Sequence, residues 1–434
     1  MKLFLLFAAS VALSINDGVD ALNVKIPGVV YTSRKGLTGT DDSMNCKSAT
    51  EVQNDMNSIK TVADRVRITS LVDCNQGELV LSAAQAAGLQ VHLGLSTAKD
   101  DNVFQTEKTK LASLIDSNHF GDHVIAVSVG SGSVSQGQVS MDTSLTYIKS
   151  IRDDLRSRGK MTPVSTAEHV YTYDGNVQLI EAVDFVSAIS NTYWEKAWVN
   201  EAVALTIDQI RSVRASAKNH NKKFELAETT WSSFGQDSSA ADSTPENQAK
   251  FFSELYQAMS VRSIDWYWNG AFDTMWREKE VEKHFGLFNE TNALKSNFEG
   301  LTITPKKLFY IHHIRWNFMI TEYGKDVFVR GKSNDPFDQE DQWWYYDETL
   351  QQYRSPTMRC LDAYQSGNGG DVHVYTCIDT EGNQKWKWDE ATMLFRHLTR
   401  LDMCLNTDQA MAFALTMWPC SQGNSNQEWD LIPV

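Results

Sequence analysis

Residues 49–95 read ATEVQNDMNSIKTVADRVRITSLVDCNQGELVLSAAQAAGLQVHLGL. Two periodicities alternate in them. Ala49–Ala63 and Leu79–Ala87 read as amphipathic helical segments, whereas Val66–Val72 and Leu89–Leu95 are short, β-rich apolar runs. A chain that alternates helix and strand in this way predicts parallel strands joined by helical crossovers.

The same alternation continues on both sides. Apolar runs lie near Val29–Tyr31, Val124–Val129, Met161–Thr166, Val183–Ile189, Phe224–Ala227 and Ile264–Phe272, and helical segments at Thr143–Arg158, Ile207–Ala217 and Pro245–Met259. Eight strand-like runs in about 280 residues predict a closed (β/α)₈ TIM barrel rather than an open doubly wound sheet. After the first run, Thr32-Ser33-Arg34-Lys35-Gly36 is no phosphate-cradling loop, so a nucleotide fold has no support.

Beyond the barrel the pattern changes. Residues 303–340 contain a turn-rich loop, Ser333-Asn334-Asp335-Pro336-Phe337-Asp338. Gln342-Trp343-Trp344, Gln384-Lys385-Trp386 and Gln427-Glu428-Trp429 then share a Gln-x-Trp pattern at spacings of 42 and 43 residues. Cys360 and Cys404 are 44 apart, and Cys377 and Cys420 are 43 apart. Such self-similarity marks a repeat architecture.

Met1-Lys2, the apolar run Leu3 to Leu13 and the small residues of Val19-Asp20-Ala21 form a secretory signal-peptide pattern, with a mature start near Leu22. The run is too short to span a bilayer. Six cysteines form three local pairs, Cys46 with Cys74, Cys360 with Cys377 and Cys404 with Cys420; an even count in a secreted chain predicts disulfides. Asn289-Glu290-Thr291 is a glycosylation sequon. A formal net charge of −15 argues against nucleic acid and anionic membrane as partners and leaves neutral polymers. The histidines lack metal-ligand spacing, and neither a nucleophile elbow nor a Ser-His-Asp set can be placed. No metal or organic cofactor is expected.

Several motifs recur in the order found in glycoside hydrolase family 17. They include Gly28-Val29-Val30-Tyr31, Arg65-Val66-Arg67-Ile68, Thr166-Ala167-Glu168, Tyr193-Trp194-Glu195, Ala227-Glu228-Thr229-Thr230-Trp231 and His284-Phe285-Gly286-Leu287. Residues 27–302 therefore resemble that family of β-1,3-glucanases, especially its fungal cell-wall members. The resemblance implies retaining glycoside hydrolysis or glucan transfer, which needs a nucleophile and a general acid about 5 Å apart. It places the nucleophile at Glu228 and substrate contacts at Tyr31, Glu168, Tyr193, Trp194, Glu195 and Trp231. The family's acid closes a Val-Gly-Asn/Ser-Glu motif, but here the chain reads Val129-Gly130-Ser131-Gly132. Gly132 has no side chain to donate a proton. Gly270 and Thr274 also stand where the family has acidic residues.

The C-terminal repeat resembles the ricin B-type β-trefoil lectins, with a degenerate first unit that lacks the cysteine pair. That resemblance implies sugar contacts at Asp362, Tyr375, Asn383 and Gln384 in the second unit. In the third it implies Asn406, Trp418, Asn426 and Gln427, with Asn406 where Asp is usual. Gln-x-Trp has a packing role in such trefoils as well. The expected order is a signal peptide over 1–21, a family-17-like barrel over 22–302 and a trefoil over 303–434. The expected function is a secreted or cell-wall-associated protein acting on β-1,3-glucan, with other glycans as further trefoil ligands. The alternative is a disarmed glucan-binding pseudoenzyme.

Overall fold

The computed structural model describes residues 22–37 and 42–434; the expected signal peptide lies outside the described residues. Eight strands follow one another: β1 (Ile26–Val30), β2 (Ala63–Arg67), β3 (Gln90–Leu95), β4 (Val124–Ser131), β5 (Val164–His169), β6 (Val186–Ile189), β7 (Phe224–Thr229) and β8 (Asp265–Asn269). Each pairs in parallel with the next, and β8 pairs with β1, closing the predicted barrel. The long crossover helices start at capping residues. Ser48 and Glu51 form a capping box, and the side chains of Asp100, Ser140 and Thr244 accept first-turn N–H groups.

Several boundaries differ from the sequence reading, among them Val66–Val72, which ends as a strand at Arg67. Ala63 begins β2 instead of ending a helix, and β8 stops at Asn269. A helix at Asp101–Asp116 was not among those expected. Its buried stripe is Phe104, Glu107, Leu111 and Leu114, so a charge interrupts the apolar periodicity. Glu107 is satisfied there by Ser70 Oγ and by the Leu71 N–H at 2.7 Å.

The floor of the barrel is unusually polar. His92 bonds Ser128 at 2.7 Å, and Ser187 donates to Glu225. The Tyr267 ring crosses this space because β1 presents Gly28; a Cβ there would fall 2.5 Å from the ring. Burial pushes the Glu225 carboxyl up to about 7 and holds the His92 imidazole well below its usual value.

After the barrel the chain is built from short, mostly antiparallel strands around a second core. The three Gln-x-Trp tryptophans, Trp344, Trp386 and Trp429, are fully buried. Their indole N–H groups donate to Ile320 O at 3.0 Å, Leu361 O at 2.9 Å and Leu405 O at 3.1 Å. This repeated geometry superimposes Thr321, Asp362 and Asn406, the residues that follow those carbonyls. All three disulfides form as paired from the sequence.

The helix Val199–Asn219 docks the two parts together. Arg211 grips Asp341 with two bonds, one of 2.7 Å, and Arg214 grips Glu340 with bonds of 3.0 and 2.9 Å. Arg262 joins Glu340 at 3.0 Å, and Arg359 reaches back to Asp208. Asp335, Glu340 and Asp341 all come from the turn-rich segment before the first Gln-x-Trp.

Candidate active site

Glu228 ends in the barrel mouth because β7 is irregular there. Strict alternation would separate Glu228 from the inward face that holds Glu225, but the β7–β8 register shifts between Leu226 and Thr229. A matching shift between Ser128 and Ser131 re-aims the end of β4. The two side chains meet: Ser131 Oγ donates to Glu228 Oε1 at 2.8 Å. Arg67 Nη1 from β2 donates to the same oxygen at 2.6 Å, and Asn269 Nδ2 from β8 donates to Oε2 at 3.0 Å. Arg67 is wholly buried, while the Glu228 side chain keeps 14 % of its surface exposed. Three donors from three strands thus fix a carboxylate as an acceptor at the mouth.

Above it lies a cleft of about 580 Å³. Tyr31 and Trp194 line it, as expected from the sequence. Tyr31 is anchored by its hydroxyl, which donates to Asp55 at 2.7 Å, and Lys47 Nζ lies 5.5 Å from its ring centroid. Lys279 lies over Trp194 at 5.0 Å.

The other expected contacts are elsewhere. Glu168 is fully buried and accepts the N–H groups of Val134 at 2.9 Å and Ser135 at 3.1 Å. It supports the loop after β4, and burial raises its carboxyl above the usual range. Tyr193 and Trp231 are buried too, packed edge to face, with the Trp231 indole donating to Asp242 O at 3.0 Å. Glu195 is exposed outside the cleft lining and accepts from Gln209 at 2.6 Å. None of these four is among the side chains that line the cleft: their motif positions lie beside strand ends, but packing turns them inward or outward.

Gly132 carries no side chain, at φ +67°, and its N–H donates to Ala167 O at 2.7 Å. The carboxyls that share the cleft with Glu228 are Asp273, Glu282 and Glu290. Asp273 is committed to Lys295 at 3.2 Å and the Gly286 N–H at 2.9 Å, and burial raises its carboxyl. Sequence reasoning missed Arg67, Asn269 and Asp273. The one available signal was a pair of arginines at alternate positions, Arg65 and Arg67, inside an apolar strand.

In the trefoil, Gln384 and Gln427 are buried, in keeping with the packing role of Gln-x-Trp. Gln384 bonds Asp362 at 3.0 Å and Thr376 O at 2.8 Å, and Gln427 bonds Pro419 O at 3.0 Å. Asp362 is 5 % exposed, and its Oδ1 is buried with no hydrogen-bond partner, 3.6 Å from His373 Nε2. Burial raises its carboxyl. Tyr375 is exposed beside it, and Asn383 accepts from Arg400 at 2.7 Å. In the third unit, Asn406, Trp418, Asn426 and Gln427 line a pocket of about 240 Å³ with Asp408, to which Asn426 donates at 2.8 Å. The first unit has buried Thr321 at the equivalent place.

Residues 28–286 match the BtgE/BtgC glycoside hydrolase domain, and residues 322–429 match the ricin-type beta-trefoil lectin domain. A glucan 1,3-beta-glucosidase of Arthroderma benhamiae is 25% identical over 269 residues, covering 58% of this chain and 85% of its own. The glucan 1,3-beta-glucosidase BGL2 of Candida albicans is 26% identical over 279 residues, covering 60% and 89%. A glycoside hydrolase family 17 beta-1,3-glucanosyltransferase from Rhizomucor miehei matches in structure with a TM-score of 0.56 and 26% identity, over 64% of this chain and 98% of that one.

Proposed function

The chain belongs to the BtgE/BtgC glycoside hydrolase domain family, and from that premise we propose that it is a secreted, cell-wall-associated protein acting on β-1,3-glucan, with Glu228 as the nucleophile. The observation that carries this reading is the triply held Glu228 carboxylate at the mouth of an open cleft. In a retaining reaction Glu228 would attack the anomeric carbon while the bond to the leaving oxygen breaks; water or a second glucan hydroxyl would then displace Glu228. Tyr31 and Trp194 would wall the sugar. Asp362 and Tyr375 would hold a sugar on the trefoil, the unpartnered Asp362 Oδ1 accepting from a hydroxyl. Three disulfides suit an oxidising, extracellular compartment, and among the described residues no helix is long and apolar enough to cross a membrane.

Gly132 bears on the rate. Without a general acid the leaving oxygen departs unprotonated, which costs about 10²–10⁴-fold. The same glycine favours a second reading, a glucan-binding module on a disarmed barrel. Reducing-end release from soluble β-1,3-glucan distinguishes them, with wild type compared against Glu228→Gln. Slow release that disappears in the variant is expected. Glucan binding without release would favour the module, and neither binding nor release would overturn both.

A further inference from the structure

The helix Val199–Asn219 presents one continuous stripe to the trefoil. Glu201 bonds Thr376, Asp208 bonds Arg359, Arg211 bonds Asp341, Arg214 bonds Glu340 and Lys218 bonds Asp335. These positions are seven, three, three and four residues apart, spacings that keep them on one helix face. Trp198 opens this helix three residues ahead of Glu201, and its carbonyl accepts the Glu201 N–H at 2.8 Å. The helix follows β6, so its first turn lies at the strand ends that form the mouth. Trp198 therefore stands where the docking stripe meets the mouth, and it is 49 % exposed.

Aromatic residues lie near it in the chain and across the junction with the trefoil. Trp194 lines the cleft four residues earlier. On the trefoil side, Asn200 donates to Cys377 O at 3.4 Å, and Tyr375 shares a small pocket with Glu201, Ala204 and Leu205. Along the strand His373–Thr376, Val374 and Thr376 are buried while Tyr375 is 41 % exposed. His373 stacks on Tyr375 at 5.8 Å and 12°, and Tyr364 packs on His373 at 4.3 Å. The buried, unpartnered Asp362 oxygen sits beside them.

We infer that one β-1,3-glucan chain runs from the barrel cleft over Trp198 onto Tyr375, so that cleft and second trefoil unit form a single binding track. This rests on the glucan reading above. A neutral sugar ring lays its apolar face on an aromatic ring and offers hydroxyls to a planar acceptor; Trp194, Trp198 and Tyr375 supply the first, and Asp362 the second. The shared stripe of ion pairs holds the two binding places in one frame, so a chain engaging both gains affinity by effective concentration.

Calorimetric affinities of the full chain for a long soluble β-1,3-glucan and for a β-1,3-linked trisaccharide test the track. The readout is the ratio of the two, in wild type, Trp198→Ala, Trp198→Phe and Tyr375→Ala. Wild type is expected to favour the long chain. The ratio should fall about tenfold in each alanine variant, equivalent to about 1.4 kcal/mol, and recover in Trp198→Phe. A ratio unchanged in either alanine variant overturns the track. The glucan reading survives that result if the trisaccharide binds and Trp194→Ala weakens it. Failure of wild type to bind either glucan overturns both.

Discussion

Arg67 has no exposed surface, and its charge is balanced at the mouth by Glu228 alone among the carboxylates it bonds. Glu228→Ala would leave that guanidinium buried without the carboxylate it bonds, at a cost of about 3–5 kcal/mol. Urea denaturation should show this loss, and Glu228→Gln, which keeps an acceptor, should lose less. Glu225 gives the opposite sign. Its folded value of about 7 lies above the ordinary range because burial disfavours the charged form. The folded state then binds more protons than the unfolded state, so stability falls as pH rises from about 4.5 to 7 and levels off above. Glu225→Gln should flatten that slope, on the order of 3 kcal/mol across the window, read as unfolding free energy against pH. The motif around Glu228 was legible because a carboxyl after an apolar strand has few places to go. Its partners were not. Ser131, Asn269 and Arg67 converge only when β2, β4, β7 and β8 are wrapped into one barrel, and no spacing along the chain records that.

The end of β4 tests the missing acid directly. A side chain at 132 must accept a left-handed backbone, and its Cβ would lie 2.8 Å from Gln136 Nε2. Gly132→Ala should therefore cost about 1 kcal/mol. Gly132→Glu combined with Gln136→Ala should make room for the carboxyl and raise reducing-end release by about 10²-fold or more. A double variant that folds, binds glucan and releases nothing faster would mean that position 132 does not reach the leaving oxygen. Periodicity served most of the strands, which are largely apolar runs, though β2 (ADRVR) carries three charges and begins three residues before the run expected for it. It failed for Asp101–Asp116, where Glu107 occupies the inward stripe, and it gave no strands between Phe309 and Gly331, where His312, His313, Thr321 and Glu322 are among the buried residues. The Gln-x-Trp repeat marked the core tryptophans, and its glutamines pack inside with them. Gln384→Ala would strip partners from Asp362, the Ile378 N–H and Thr376 O, and should cost about 3 kcal/mol in chemical denaturation.

Barrel and trefoil are tied by Glu340, which faces both Arg214 and Arg262. Removing its carboxyl takes the bonded counter-charge from two largely buried guanidinium groups at once. Glu340→Ala should split a single calorimetric unfolding transition into two, the first belonging to the trefoil; one unsplit transition would show that other contacts suffice for coupling. The separation into a barrel and a repeat domain was legible from the change of periodicity alone. How they dock was not, because each member of an ion pair such as Arg211–Asp341 looks like an ordinary surface charge until its distant partner is placed against it.

The first trefoil unit carries buried Thr321 where the second has Asp362, and its turn-rich loop packs against the Val199–Asn219 helix. That loop ties the unit to the barrel, which the other two Gln-x-Trp units do not do through the same helix residues. The history of that unit is therefore coupled to a helix in another domain: a charge reversal at 340 or 341 is tolerable only with a compensating change at 211, 214 or 262. Related chains that keep the fusion should vary these positions as a set, whereas trefoils that stand alone should show no such bond between their first unit and any helix.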